Sequence, residues 1–367
     1  MLKRIGAEEG GEFKAIASGT LPSGRPVIVN ADGTVSVVSQ TSASESVGTG
    51  TIFETGNTAY PSCTYDSAQN KSLIVWSDGS SSYEGQAAVA TISGTSVSFG
   101  SVVTWASGNK PQYMDSAYDV ASGKHVIVYR DSNNSNYGTA VVATVSGTSV
   151  SFGTPVIFNN AETEYTIVEY DASSQKVVVA YKDQGNSSYA TAKVGTVSGT
   201  SISFGSAVVF QSTNSNTQGI TYDSGSSKII IGYRKYDSFM RGFGVVGTVS
   251  GTSISFGTPV RFDTTNTSGH DIDFISVAYD SNQDKTLFAY RGISQYGQVN
   301  VATVSGTSIS FGSVATFNSA QSTYIDAVYH PLAQKVFISY TKNTSSDHKI
   351  ILPTTISSTS ATFGSEA

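Results

Sequence analysis

The chain has 367 residues, a net charge of −6, only 13% charged residues, 36 glycines and one cysteine. That balance excludes a basic nucleic-acid footprint, and the lone Cys63 excludes an internal disulfide framework. No run of about eighteen consecutive apolar residues marks a membrane helix.

Residues 1–11 are polar and glycine-bearing and read as an N-terminal arm. They hold no apolar run of the length a secretory signal needs, so the expectation is a product made without the usual export signal. Next comes a degenerate unit. Pro26-Val27-Ile28-Val29 and Thr34-Val35-Ser36-Val37-Val38 flank Asn30-Ala31-Asp32-Gly33, and an Asp-Gly turn between β-branched runs predicts a hairpin. Its first strand is placed over Phe13 to Ala17.

Beyond it the chain is organised around Thr-Val-Ser-Gly-Thr-Ser-Val-Ser-Phe-Gly, complete from Thr144 to Gly153. Near-copies run over Thr91 to Gly100, Thr196 to Gly205, Thr248 to Gly257 and Thr303 to Gly312, with worn copies at Thr355 to Gly364 and Ser44 to Gly48. The phenylalanine position falls at Val47, Phe99, Phe152, Phe204, Phe256, Phe311 and Phe363. A period of about 52 residues marks one supersecondary unit stacked many times. Apolar and polar residues alternate, as in Ser149-Val150-Ser151-Phe152, and no stretch sustains a helical period.

The unit beginning at Tyr113 predicts strand a over Tyr113 to Tyr118, strand b over His125 to Arg130, strand c over Gly138 to Val145 and strand d over Ser149 to about Phe158. Four antiparallel strands per unit describe an all-β fold, a β-propeller, with a β-helix as runner-up. Seven blades are the preferred count, over 12–53, 60–105, 113–158, 165–210, 217–262, 274–317 and 324–364, in one domain spanning 12–367. Six is the alternative, because Tyr-Asp and its Tyr329-His330 variant occur six times.

The repeats separate scaffold from variation. The a–b turn (Asp-Ser-x-x-x-Lys) and the c–d turn (Ser-Gly-Thr-Ser) are nearly uniform. The Asp of each Tyr-Asp is expected to accept turn N–H bonds rather than hold a metal, and the repeated aromatics are expected to be core. Variation collects on the other face, in the b–c and d–a loops. The d–a segment from Asp263 to Asp273 is about five residues longer than its counterparts and carries His270, Asp271 and Asp273. The b–c segment Lys235-Tyr236-Asp237-Ser238-Phe239-Met240-Arg241-Gly242-Phe243 holds aromatic and basic residues where other units have Ser, Asn and Gly. Aromatic and Arg side chains suit recognition. The candidate ligand site is therefore Lys235, Tyr236, Phe239, Met240, Arg241, His270, Asp271 and Asp273, set against an ordinary variable loop packed on its neighbour.

Catalytic signatures are missing. No Gly-x-Ser-x-Gly, Walker or His-Glu-x-x-His motif occurs, and His125, His270, His330 and His348 occupy unrelated points of the repeat. Asp115 and Asp326, on innermost strands, read as solvated channel lining rather than an acid–base pair. Asp131 to Asn136 lacks the acidic spacing of a calcium loop. No enzyme activity, metal or cofactor is expected.

Units of the form Tyr-Asp-Ser-x-x-x-Lys-Val-x-x-x-Tyr-Arg-Asp, here Tyr118 to Asp131, followed by Tyr137 to Gly153, resemble repeat proteins of marine tailed bacteriophages. The stretch Gly19 to Val35 also resembles the start of phage structural proteins. The resemblance implies a virion component, as a tail fibre, spike or surface decoration, made in the host cytoplasm and released on lysis. Its partners would be other virion proteins and a host-surface glycan or receptor, with a homo-oligomer possible and neither nucleic acid nor membrane insertion involved. A purely structural cementing module and a tail-associated glycan-degrading enzyme are the alternatives.

Overall fold

The computed structural model describes Ala17 and residues 27–30, 32–37, 48–80, 82–108, 110–237, 239–263, 272–344 and 347–366. The chain divides into two compact units, Met1–Val47 and Gly48–Ala367.

In the first unit Val27–Val29 pairs antiparallel with Val35–Val37, the hairpin expected from Asp32-Gly33. Gly33 takes a φ of 81°, and the Asp32 carboxylate accepts the Thr34 N–H at 2.9 Å, which fixes the turn. Ala17 bridges Val35 in parallel. The rest of the strand expected over Phe13 to Ala17, and most of the blade expected before Gly48, lie outside the described residues.

The described residues of the second unit form six four-stranded antiparallel modules. In module two, strand a is Pro111–Asp119, b is Lys124–Asp131, c is Tyr137–Ser146 and d is Ser149–Phe152. Strand d is shorter than the expected 149–158. It breaks at Gly153-Thr154-Pro155, after which residues 156–159 return to the same edge of strand c, Val156 opposite Ala140 and Asn159 opposite Gly138. Pro155 has no N–H to give the ladder. At Gly153 a side chain would overlap the Thr200 carbonyl oxygen of the next module.

A second departure is at the junctions. Where d–a loops were expected, Val156–Asp171, Val208–Asp223 and Ala315–His330 run as continuous 16-residue strands. Pairs such as Tyr137 with Glu162 keep the chain extended while it crosses from the outer edge of one module to the innermost strand of the next.

Cohesion lies between successive sheets. Val126, Val128, Ala140 and Val142 of module two pack with Val177, Val179, Tyr181 and Ile202 of module three, and the other junctions follow suit. An aromatic triad pins each: Phe158 meets Tyr181 at 5.2 Å and Phe204 at 5.7 Å, and Phe262 meets Tyr290 at 4.8 Å and Phe311 at 5.7 Å. The fully buried rings, Tyr181, Tyr290 and Phe262, contribute roughly 1.5–3 kcal/mol each, and the repeated phenylalanines Phe204 and Phe311, partly buried, pack against these clusters as scaffold. The Tyr-Asp aspartates are scaffold too: Asp119 accepts the Ala121 and Ser122 N–H groups and Asp280 those of Asn282 and Gln283. His330, standing in for Asp, accepts the Ala333 N–H through Nδ1 at 3.1 Å.

Candidate functional site

Strand a of every module carries one extra residue against strand b. In module two the pairing runs from Asp119 opposite Lys124 to Asp115 opposite Val128, then jumps to Gln112 opposite Arg130. Tyr113 begins this bulge with a φ of 50°. Tyr60, Tyr165, Phe274 and Tyr324 take the same left-handed conformation in modules one, three, five and six. For a non-glycine residue that conformation costs about 1–2 kcal/mol, and it persists where the surroundings over-determine it. Here the Thr166 hydroxyl donates to the Tyr113 carbonyl and the Thr217 hydroxyl to the Tyr165 carbonyl, each across a module boundary.

The bulge turns these aromatics onto the end of the innermost strands, where they meet. Ring centroids lie 5.4 Å apart for Tyr60 and Tyr113, 5.0 Å for Tyr113 and Tyr165, and 5.4 Å for Phe274 and Tyr324. Module four departs: its extra residue is Gln218, whose backbone stays out of the left-handed region.

The ends of strand b supply cations to the same rim. Arg130 and Arg291 lie 4.8 Å from the ring centres of Tyr113 and Phe274, and Lys182 lies 5.8 Å from that of Tyr165, within cation–π reach. Two carboxylates tie neighbouring modules: Glu164 lies 3.4 Å from Arg130 and 3.3 Å from Lys182, and Asp273 lies 3.1 Å from Arg234 and 3.3 Å from Arg291. Burial pushes the Tyr113 hydroxyl up to about 12, so it stays protonated at neutral pH.

The residues expected to form a ligand loop are partly redistributed. Lys235 and Tyr236 end strand b, while Met240 and Arg241 begin strand c, with Tyr236 opposite Met240 and Lys235 opposite Arg241. The expected nine-residue loop is therefore a short hairpin connection, because the pairing continues almost to its tip. Tyr236 accepts hydrogen bonds from Asn216 at 2.9 Å and from Arg234. Arg241 covers Phe239 at 4.8 Å and lies 3.8 Å from Asp237. Asp273 joins Tyr236 through Arg234, but Phe239 and Arg241 form their own small cluster. His270 and Asp271 lie outside the described residues. The rim aromatics, Glu164, Gln218, Arg234 and Arg291 were missed. Their signal was present, as an aromatic in strand a of five units and a basic residue after the buried Tyr of four strands b.

Below the rim the innermost strands of modules two to six line a cavity of about 420 Å³ that includes Asp115, Glu169 and Asp326. Asp115 accepts the Val168 N–H at 2.9 Å, and Asp326 accepts the Ser276 hydroxyl at 2.9 Å. Burial pushes the Asp115 carboxyl up to about 6 and that of Glu169 up to about 7, with the Asp115 charge adding to the latter. Among the described residues no group of three or more His, Cys, Asp or Glu is arranged to hold a metal ion.

These two shifts fix a pH dependence. A carboxyl whose pKa is raised in the fold binds more protons folded than unfolded, so its contribution to stability falls as pH climbs through that window. Asp115→Asn with Glu169→Gln is therefore expected to be more stable than wild type at pH 8, by about 1–3 kcal/mol. That advantage should shrink by pH 5 in thermal melts. His125, held down to about 4 by burial, acts in the opposite direction but cancels in this comparison.

Neither a family model nor a curated protein matches the sequence. Solved structures do. The chain is similar to AofleA from Arthrobotrys oligospora, with 10% identity and a TM-score of 0.50, covering 84% of this chain and 88% of that one. It is similar to a protein of unknown function from Dyadobacter fermentans DSM 18053, with 11% identity and a TM-score of 0.51, covering 80% and 93%. A Trypanosoma rangeli sialidase gives 13% identity and a TM-score of 0.49, covering 90% of this chain and 59% of that one. The chain spans 63% and 59% of two sialidase structures that it matches. The class so defined is an all-β repeat protein whose fold is similar to those of AofleA and the Dyadobacter fermentans protein. At such identities the likeness concerns the fold alone.

Proposed function

We propose that this chain is a non-enzymatic binding module that attaches to a cell-surface glycan through the face bearing the aromatic rim. The observation that carries the reading is the set of five aromatics held left-handed at one point of the repeat. Strain of about 1–2 kcal/mol at each, retained in five modules, is accounted for if the rings are needed where they stand. Aromatic faces flanked by charged, hydrogen-bonding groups suit saccharides, which offer apolar C–H faces and a polar periphery.

The proposal includes a blade edge ahead of module one. Its support is that Gly48 faces the Thr95 carbonyl as Gly100 faces that of Thr148, and Phe53 packs on Trp76 and Phe99 as Phe158 does on Tyr181 and Phe204; the seven-blade ring and its six-blade alternative both supply that edge. A place in a tailed-phage particle, released on lysis, is also proposed, and rests on the resemblance of the repeats.

The test is binding of the purified chain to a glycan array and to host cells, with reducing-end release measured alongside. Binding without product is expected, reduced in the folded Tyr113→Ala/Tyr165→Ala variant. Product release abolished by Glu169→Gln would instead establish a glycan-degrading enzyme. Absence of any glycan binding would leave the cementing role.

A further inference from the structure

The six modules permit a comparison at one position. Tyr60, Tyr113, Tyr165, Phe274 and Tyr324 fill the rim in five of them, and Gln218 takes the place in module four. The rings touch in the order Tyr60, Tyr113, Tyr165, and again from Phe274 to Tyr324. Between Tyr165 and Phe274 the row is broken. A cavity of about 420 Å³ lies at that break, lined by Tyr165, Thr217, Gln218, Asp273, Phe274 and Ile325 among others. Its volume falls in the range of small-ligand sites, roughly 300–1,000 Å³.

We infer that each chain binds one uncharged hexopyranose ring at this break, with Gln218 and Asp273 reading its hydroxyls and Tyr165 and Phe274 packing on its C–H faces. The inference rests on the saccharide-binding reading above and narrows it to one site per chain rather than one per repeat.

The polar side of the break is rigid. Gln218 Nε2 donates to Asp273 Oδ1 at 2.7 Å, and Gln218 Oε1 accepts the Ile275 N–H at 3.1 Å. Asp273 is held from both sides by Arg234 and Arg291. These bonds lock both side chains without exhausting them. An amide has two N–H donors and two acceptor lone pairs, and a carboxylate has about four acceptor sites, so Gln218 keeps one N–H and Asp273 keeps an acceptor site for ring hydroxyls. Prearranged groups of this kind bind without an ordering cost at the moment of contact.

The charges at the break are of both signs and already paired: Asp273 is flanked by Arg234 and Arg291, with Asp115 and Glu169 lining the channel beyond. An uncharged ring enters without disturbing that pairing.

The experiment titrates a panel of uncharged methyl hexopyranosides and methyl N-acetylhexosaminides into the full chain, by protein-observed NMR and calorimetry. One site per chain is expected for the best binder. Gln218→Ala, Gln218→Met and Phe274→Ala should each weaken it roughly tenfold or more, while Phe239→Ala, in its separate cluster with Arg241, stays within about twofold. Gln218→Met keeps the side-chain length and, with unchanged melting, separates lost recognition from lost folding. Several equal sites per chain, or full binding by folded Gln218→Met and Phe274→Ala, would overturn this inference and leave the general saccharide reading standing. If neither these glycosides nor any array glycan binds the wild-type chain, both fall.

Discussion

Alanine at Gly153 is expected to destabilise the chain by about 3 kcal/mol or more, because the added methyl falls on backbone rather than on a side chain that can turn away. Gly100, Gly153, Gly205, Gly257 and Gly312 each face the carbonyl oxygen of Thr148, Thr200, Thr252, Thr307 or Thr359 in the following module, at a separation no Cβ can occupy. The Gly153 N–H is meanwhile committed to the Val142 carbonyl at 2.8 Å, so the strand cannot slide to make room. Gly147→Ala supplies the contrast. Gly147 has a φ of 62° and open space around its Cβ direction, so its replacement meets only the left-handed penalty of about 1 kcal/mol. Urea denaturation of the two variants measures the difference. Equal and small effects would mean that the modules are not interlocked through these glycines.

The second large effect is expected at Asp273. Its carboxylate accepts from Arg234, Arg291 and Gln218, and Arg234 is 8% exposed. Removing one partner of a buried pair leaves uncompensated charge, and here two cations lose their carboxylate together, Arg234 keeping only the neutral Ile272 carbonyl and Tyr236 hydroxyl as acceptors. Asp273→Ala should cost about 2–4 kcal/mol, while Asp273→Asn, which keeps an acceptor, should cost about 1–2 kcal/mol. Glu164→Ala should cost less, since Arg130 retains Glu162 and Gln112. Parallel denaturation curves for the three variants give the order directly.

The strand pattern, the Asp-capped turns and the aromatic spacers were legible in the sequence, because each follows from local chemistry repeated at a fixed interval. Asp119 and Asp280 cap their turns as such residues do in isolation, and Ser149-Val150-Ser151-Phe152 alternates as a half-buried strand does. The rim was not legible. Tyr113 and Tyr165 sit in runs that read as ordinary strand, and their left-handed bulge arises from how strand a pairs with strand b, a property of two segments rather than one. Unusual composition drew attention instead to residues 235–243, where the strand pairing runs almost to the tip and leaves little loop. Asp273 was picked for its neighbours Asp271 and His270, yet its place in the structure comes from Arg234 and Arg291.

One measurement bears most directly on the claim that the aromatic rim is a saccharide site. Saturation placed on the aromatic protons of the protein is followed by NMR into a bound glycan taken from the array. The account predicts transfer concentrated on the C–H protons of one sugar ring and lost in the folded Tyr165→Ala/Phe274→Ala variant. Transfer of equal strength in that variant would contradict it and move the site away from the rim.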